Sequence, residues 1–205
     1  MLIEYLKKTY GTDNPILLNE LQFEDYSESW LYAEVRRLCN TAELLKFDKG
    51  VYYLPSDTEY GKSILLPEKV IERKYVSDGD NVYGFYGGIG FMNRIGLSTQ
   101  VVSCDTIYTN REASRRRKVQ VGYLDVILKK PRVEVTKENA NVLAFLEMMT
   151  EIPDWFFEES WRKEAVDEYI RDARITREDI LKHIPFYPDK TSRKLLESEV
   201  IFHVA

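Results

Sequence analysis

Cysteine and histidine are scarce in this chain of 205 residues, which holds two cysteines, Cys39 and Cys104, and two histidines, His183 and His203. Residues so dispersed do not make the paired spacing of a zinc site, and two cysteines do not make a disulfide framework. They read as reduced thiols, and neither a metal nor another cofactor is expected. No run of about 18 apolar residues occurs, which excludes a membrane-spanning helix. The N-terminus, Met1-Leu2-Ile3-Glu4-Tyr5-Leu6-Lys7-Lys8, lacks the basic-then-apolar order of a secretory signal. A cytoplasmic location follows as the expectation. Internal repeats and low-complexity stretches are also missing.

What is present suits one or two ordinary domains: 44% hydrophobic residues for a core and 31% charged residues for a solvated surface. Net charge is −5, against a nucleic-acid binder that uses its whole surface. Its distribution says more. Residues 1–54 carry −3 and 55–105 carry −2, whereas 106–132 carry +6 and 133–205 carry −6. Positive charge is therefore concentrated in the middle of the chain.

The best-defined local pattern runs from Ser27 to Pro55. Leu31, Val35 and Leu38 recur at i, i+4, i+7, the spacing of one buried helix face. Ser27 or Ser29 can cap that helix. Trp30, Tyr32, Ala33, Arg36, Arg37 and Asn40 fall away from the stripe. Two short strands follow, Leu44–Phe47 and Val51–Leu54, around Asp48-Lys49-Gly50, a hairpin turn by composition. Upstream, Leu2–Tyr10 reads as a helix with Leu2, Ile3 and Leu6 inward, and Ile16–Leu21 as a second, with Phe23 and Tyr26 packing ahead of the Ser27 cap. Helix, helix, helix, strand, strand over residues 1–55 is the order of a winged helix-turn-helix.

Beyond it, residues 55–66 read as a hinge and 56–205 as a second, mixed domain. Pro67 opens a helix through Tyr75. Tyr83–Ile95 reads as a helix whose Gly84, Gly87, Gly88 and Gly90 allow close packing. Strands are expected at Thr106–Thr109, Lys118–Val121 and Leu124–Lys129, the last two joined by a Gly122-Tyr123 turn. Val142, Leu143, Leu146 and Met149 form a helical stripe that Pro153 ends. Helices over Trp161–Asp172, Ile180–Ile184 (capped at Thr176) and Asp189–Glu199 complete an acidic layer. The fold class is thus α+β: a winged helix followed by a small antiparallel sheet with several helices.

Motifs that resemble catalytic or nucleotide sites are incomplete. Gly61-Lys62-Ser63 lacks the glycine a phosphate loop needs at position 56, which is Ser56. Gly88-Ile89-Gly90 has Asn93 where a dinucleotide fingerprint needs glycine, and close packing explains it better. Cys104 has no histidine near it in sequence. No catalytic constellation assembles, so the sequence makes no case for an enzyme.

A nucleic-acid reading has candidates. Arg36 and Arg37 on the helix suit base edges or phosphates, with Trp30, Tyr32 and Ala33 beside them. Ser27 and Ser29 can donate to phosphate, and Lys46 and Lys49 on the wing can reach the backbone. Glu28 and Glu34 oppose this, and a winged helix that serves as a protein-interaction module is the alternative. A second basic cluster, Arg111, Arg115, Arg116, Arg117 and Lys118, creates a strong local potential suited to DNA, RNA or an acidic partner. The same cluster can equally be a solvated loop or dock the acidic helices.

Phe47-Asp48-Lys49-Gly50-Val51-Tyr52-Tyr53-Leu54-Pro55 resembles the wing of the AbiEi family of antitoxins and related regulators from type IV toxin–antitoxin systems. Tyr83-Gly84-Phe85-Tyr86-Gly87-Gly88, Asn93-Arg94-Ile95-Gly96-Leu97-Ser98-Thr99-Gln100-Val101 and Ile107-Tyr108-Thr109-Asn110-Arg111 resemble further family segments in the same order. The resemblance covers roughly residues 1–150 and departs from the family pattern at Glu28, Ser98 and Val102. It implies a bifunctional protein. The winged helix would repress its own operon at inverted repeats in operator DNA, and the C-terminal domain would counter a nucleotidyltransferase-like toxin without a stable complex. Whether such a protein acts as monomer or dimer stays open.

Overall fold

The computed structural model of the chain describes residues 2–21 and 27–204. The chain is α+β and divides into two compact units, 1–74 with 121–124, and 75–120 with 125–205. The first unit thus reaches past residue 55, and the stretch read as a hinge folds into it. Among the described residues no helix is long and apolar enough to cross a membrane.

The first unit begins with α1 (Leu2–Tyr10), which buries Leu2, Ile3 and Leu6. Residues read as a second helix form instead strand β1 (Ile16–Leu17) and a 3-10 turn, Leu18–Glu20. Pairing decides this: Ile16 and Leu17 are buried and lie opposite Tyr52 and Val51, and such tertiary burial overrides a short segment's helical pattern. The expected packing of Phe23 and Tyr26 lies outside the described residues. Helix α2 (Glu28–Asn40) buries Leu31, Val35 and Leu38 as its spacing requires. Ser27 caps it, its hydroxyl accepting from Trp30 N at 3.3 Å. Strands β2 (Leu45–Asp48) and β3 (Val51–Tyr53) then pair antiparallel across Lys49-Gly50, with Gly50 at φ +74°, where glycine carries no Cβ penalty. The resulting sheet has the order β1-β3-β2. Leu31, Val35 and Leu38 pack with the α1 leucines, Ile16, Leu44 and Leu54 in one core.

The rest of this unit is held by polar contacts. A small hairpin, β4 (Asp57–Thr58) and β5 (Gly61–Lys62), occupies the Gly-Lys-Ser motif, so no phosphate loop forms there. The Asp13 carboxylate accepts from the Ser56 hydroxyl at 2.6 Å and from the Ser63 hydroxyl, tying this hairpin back. Helix α3 (Pro67–Ile71) starts at its proline and continues as a π-helical segment over Glu72–Val76. Gly122 belongs to this unit, at φ +60°, and a Cβ there would lie 2.8 Å from Pro67 Cγ.

In the second unit the expected helix over Tyr83–Ile95 is half strand. Gly84–Gly87 forms β6 and only Gly88–Arg94 forms helix α4. The glycines do permit close approach, but between strands: a Cβ on Gly84 would meet the backbone oxygens of Tyr75 and Tyr108, and one on Gly87 the Tyr108 ring. Strands β7 (Cys104–Thr109), β8 (Arg117–Val121) and β9 (Leu124–Lys129) complete a sheet of order β6-β7-β9-β8. It is mixed rather than antiparallel, because β6 runs antiparallel and β9 parallel to β7.

Helix α5 (Ala140–Glu151) is the centre of this unit. The single stripe expected of it understates its burial, since Phe145, Leu146 and Met149 are fully enclosed and Ala144, Glu147, Met148 and Thr150 are buried too. Burying each large apolar side chain contributes about 1.5–3 kcal/mol. Helices α6 (Ser160–Asp172), α7 (Arg177–His183), α8 (Asp189–Glu197) and α9 (Val200–His203) follow. A Thr176–Asp179 capping box starts α7, and Glu199 at φ +63° separates the last two helices.

The Gly84 contact gives a stability prediction. Gly84→Ala forces its methyl against two backbone oxygens that no side-chain rotation can relieve. It lowers unfolding free energy by about 3 kcal/mol or more, read by urea denaturation.

Candidate functional site

Two surfaces carry the residues singled out in sequence. On α2, Ser29, Tyr32, Ala33 and Arg36 are exposed and succeed one another at helical spacing. Lys46 on β2 and Lys49 in the hairpin turn are exposed as well. Two expectations for this face change. Trp30 is half-buried and packs against the first unit's core, so its ring is largely occupied in folding. The Ser27 hydroxyl accepts as the helix cap, which leaves its own O–H able to donate. Arg37 is held by Glu34 in a fork, Nε to Oε2 at 2.9 Å and Nη2 to Oε1 at 2.8 Å, and this pair lowers the Glu34 pKa. Arg36 is the helix cation without an ion-pair partner among the described residues.

The second surface is a cleft of about 860 Å³ in the second unit. Strand alternation builds one wall. Thr106 and Tyr108 on β7 lie opposite Ile127 and Lys129 on β9, so all four point to the same face of the sheet. Glu147, Thr150 and Glu151, at i, i+3 and i+4, present one side of α5 to it. Arg115 and Arg116 from the loop before β8, with Lys130 and Arg132 after β9, complete the lining.

Carboxylates set the geometry of its floor. Glu147 is buried and accepts from Arg132 Nε at 2.8 Å. Burial pushes its pKa up, and the Arg132 guanidinium opposes that shift. The Tyr108 hydroxyl donates to Glu151 Oε1 at 3.0 Å, and Lys129 Nζ donates to both, at 3.0 Å to the phenol and 2.9 Å to the carboxylate. Burial, then the two glutamates, hold the phenol far above its usual range, so it stays a donor. The Thr150 hydroxyl donates to Leu146 O at 2.7 Å and shares a hydrogen bond with Thr191.

The basic cluster expected over residues 111–118 is thereby divided. Arg111 stacks on the Tyr83 ring at 3.7 Å. Arg117 donates to the buried Glu112 at 2.7 Å, and Lys118 pairs with Asp125 at 2.7 Å. Only Arg115 and Arg116 of the five face the cleft. Sequence reading missed the residues that meet them there, Lys129, Lys130, Arg132, Glu147 and Glu151. One signal was available: Glu147 interrupts the apolar run 142–149, and a carboxylate in that position needs a cation.

Glu112 fixes the loop that carries both arginines. Burial acts to raise its pKa, but hydrogen bonds from the Ser114 hydroxyl and amide, then Arg117, hold it at about 2 against an ordinary 4.5. A depressed folded pKa stabilises the native state above the unfolded pKa and stops doing so as pH falls through the folded one. Glu112→Gln therefore costs about 2 kcal/mol at pH 7, and its gap to the parent chain closes between about pH 4.5 and pH 2. Guanidinium denaturation at three pH values reads this directly. In comparison with known proteins, the chain matches no family model, no curated protein and no solved structure.

Proposed function

We propose that the protein is a DNA-binding transcriptional autoregulator and the antitoxin of a type IV-like toxin–antitoxin pair. The observation that carries the regulator half is the first unit's topology. A capped helix, α2, is followed at once by the β2–β3 hairpin, and β1 joins that hairpin to give the order β1-β3-β2. A winged helix uses this arrangement to lay its recognition helix in the major groove with the hairpin beside it. In this reading Arg36 with Tyr32 and Ala33 meets base edges, and Lys46 and Lys49 meet phosphates.

The antitoxin half rests on the resemblance to the AbiEi family, and the packing of the resembling segments supports it. Tyr83–Gly88 and Ile107–Arg111 are distant in sequence, yet β6 and β7 pair residue by residue from Gly84↔Thr109 to Gly87↔Thr106. Asn110 then bonds Val135 both ways through its side-chain amide, at 2.8 and 2.9 Å. These two segments therefore form one packed substructure. The partner in this reading is a nucleotidyltransferase-like toxin, and inverted repeats form the operator. One observation favours the alternative, a winged helix used for protein interaction: Glu34 neutralises Arg37 on the face that would meet DNA.

Fluorescence anisotropy on the chain's own upstream DNA, across a salt series, separates these readings. Arg36→Ala weakens specific binding by about tenfold or more. Lys49→Ala lowers the salt slope by about one. Glu34→Gln releases Arg37 and removes a repelling charge, so it tightens binding by about threefold or more. Absence of specific binding at low salt would remove the regulator reading and leave the interaction module.

A further inference from the structure

The cleft of the second unit holds more positive charge than its fold consumes. Five cationic side chains line it against two carboxylates. Lys129 and Arg132 are used by Glu151 and Glu147. Arg115, Arg116 and Lys130 have no ion-pair partner among the described residues and line the same recess. Surplus cations on a convex surface are ordinary solvated charges. Here they sit around a concavity of about 860 Å³, within the range of small-molecule sites, where low-dielectric walls concentrate their field.

The lining also says what kind of anion fits. Guanidinium groups present planar forks matched to phosphate oxygens. The ring that reaches the cleft, Tyr108, is buried and stacked on Phe85 at 5.1 Å, so it offers no free face to a base or sugar. Recognition therefore falls on phosphate itself. Three separate cations reward linked phosphates over a single one. We propose that this cleft binds a compact polyphosphate, two or more linked phosphates, either free or as the tail of a nucleotide. Arg115 and Arg116 clamp it from the loop before β8, joined by Lys130, whose amide donates to Ser114 O beside them at 3.3 Å. Glu147 and Glu151 position Arg132 and Lys129 at the floor and keep the anion near the mouth. This site does not depend on the winged-helix reading, which concerns the first unit.

Isothermal titration of the full chain in physiological salt tests it, with tripolyphosphate, ATP, GTP, AMP and sulfate as ligands. Tripolyphosphate binds at least about tenfold tighter than AMP or sulfate. Equal affinity for ATP and GTP, matching tripolyphosphate, means that the phosphate chain alone is read. Tighter nucleotide binding identifies a nucleotide tail as the source, and binding of tripolyphosphate alone identifies the free anion. Arg115→Ser/Arg116→Ser weakens the interaction by about a hundredfold and Lys130→Gln by about tenfold, each with an unchanged thermal melt. Should the double variant fail to fold, the Lys130→Gln arm carries the test. Polyphosphate binding no tighter than sulfate, or binding that survives in the variants, overturns the proposal. So does loss of salt-dependent duplex binding in the double variant without any tripolyphosphate binding, which would make the cleft a DNA surface.

Discussion

A carboxylate in an apolar helix has to be paired with a cation, and Glu147 on α5 imposes that requirement on the whole second unit. It is only 2% exposed although it lines the cleft floor, so little water solvates it. Arg132 is brought in from the segment after β9 to meet it, and Lys129 is fixed one turn along the helix by Glu151 and Tyr108. Removing Arg132 would leave the buried carboxylate without its compensating charge, although the guanidinium itself is partly solvated. The sheet face, the helix face and the loop of arginines are therefore held in one arrangement around the cleft. Glu112 does the same at its edge, holding Arg117 and leaving Arg115 and Arg116 free.

The first unit solves a different problem. It is small, and its core rests on two amphipathic helices and a three-stranded sheet with few residues in each strand. Local devices matter more there: the Ser27 cap, the left-handed Gly50 in the hairpin, and the Asp13 carboxylate that gathers Ser56 and Ser63. The polar outward face of α2 is sparse in charge. Arg36 and the two lysines of the hairpin supply its positive potential, while Glu34 offsets Arg37. In the proposed reading such a face would meet only a few phosphates, and its affinity would fall with salt along a correspondingly shallow slope.

Much of this was legible in the residues, and the failures have physical causes. The α2 stripe, its serine cap, the hairpin glycine and the capping box at Thr176 are local signals, and each appears where expected. Ile16–Leu17 reads as helix in sequence because its decisive partner, β3, lies more than thirty residues away. Gly84–Gly87 reads as helix because glycines spaced for close packing serve strands equally well, and only the Tyr75 and Tyr108 carbonyls distinguish the two. The cleft was half visible. Arg115 and Arg116 stood out as a run of charge, but Lys129, Arg132 and Glu147 come together only through the parallel β7–β9 register and the packing of α5.

In the proposed reading the cations divide their labour: a set on α2 and the β2–β3 hairpin would meet DNA, and a set around the cleft would meet polyphosphate. Hydrogen-exchange mass spectrometry of the full chain, with upstream DNA, with tripolyphosphate and with both, tests it most directly. DNA is expected to protect peptides spanning 27–53 and tripolyphosphate those spanning 111–132, each pattern persisting when both ligands are present. Protection of the same peptides by both ligands, or displacement of one by the other, would contradict the account.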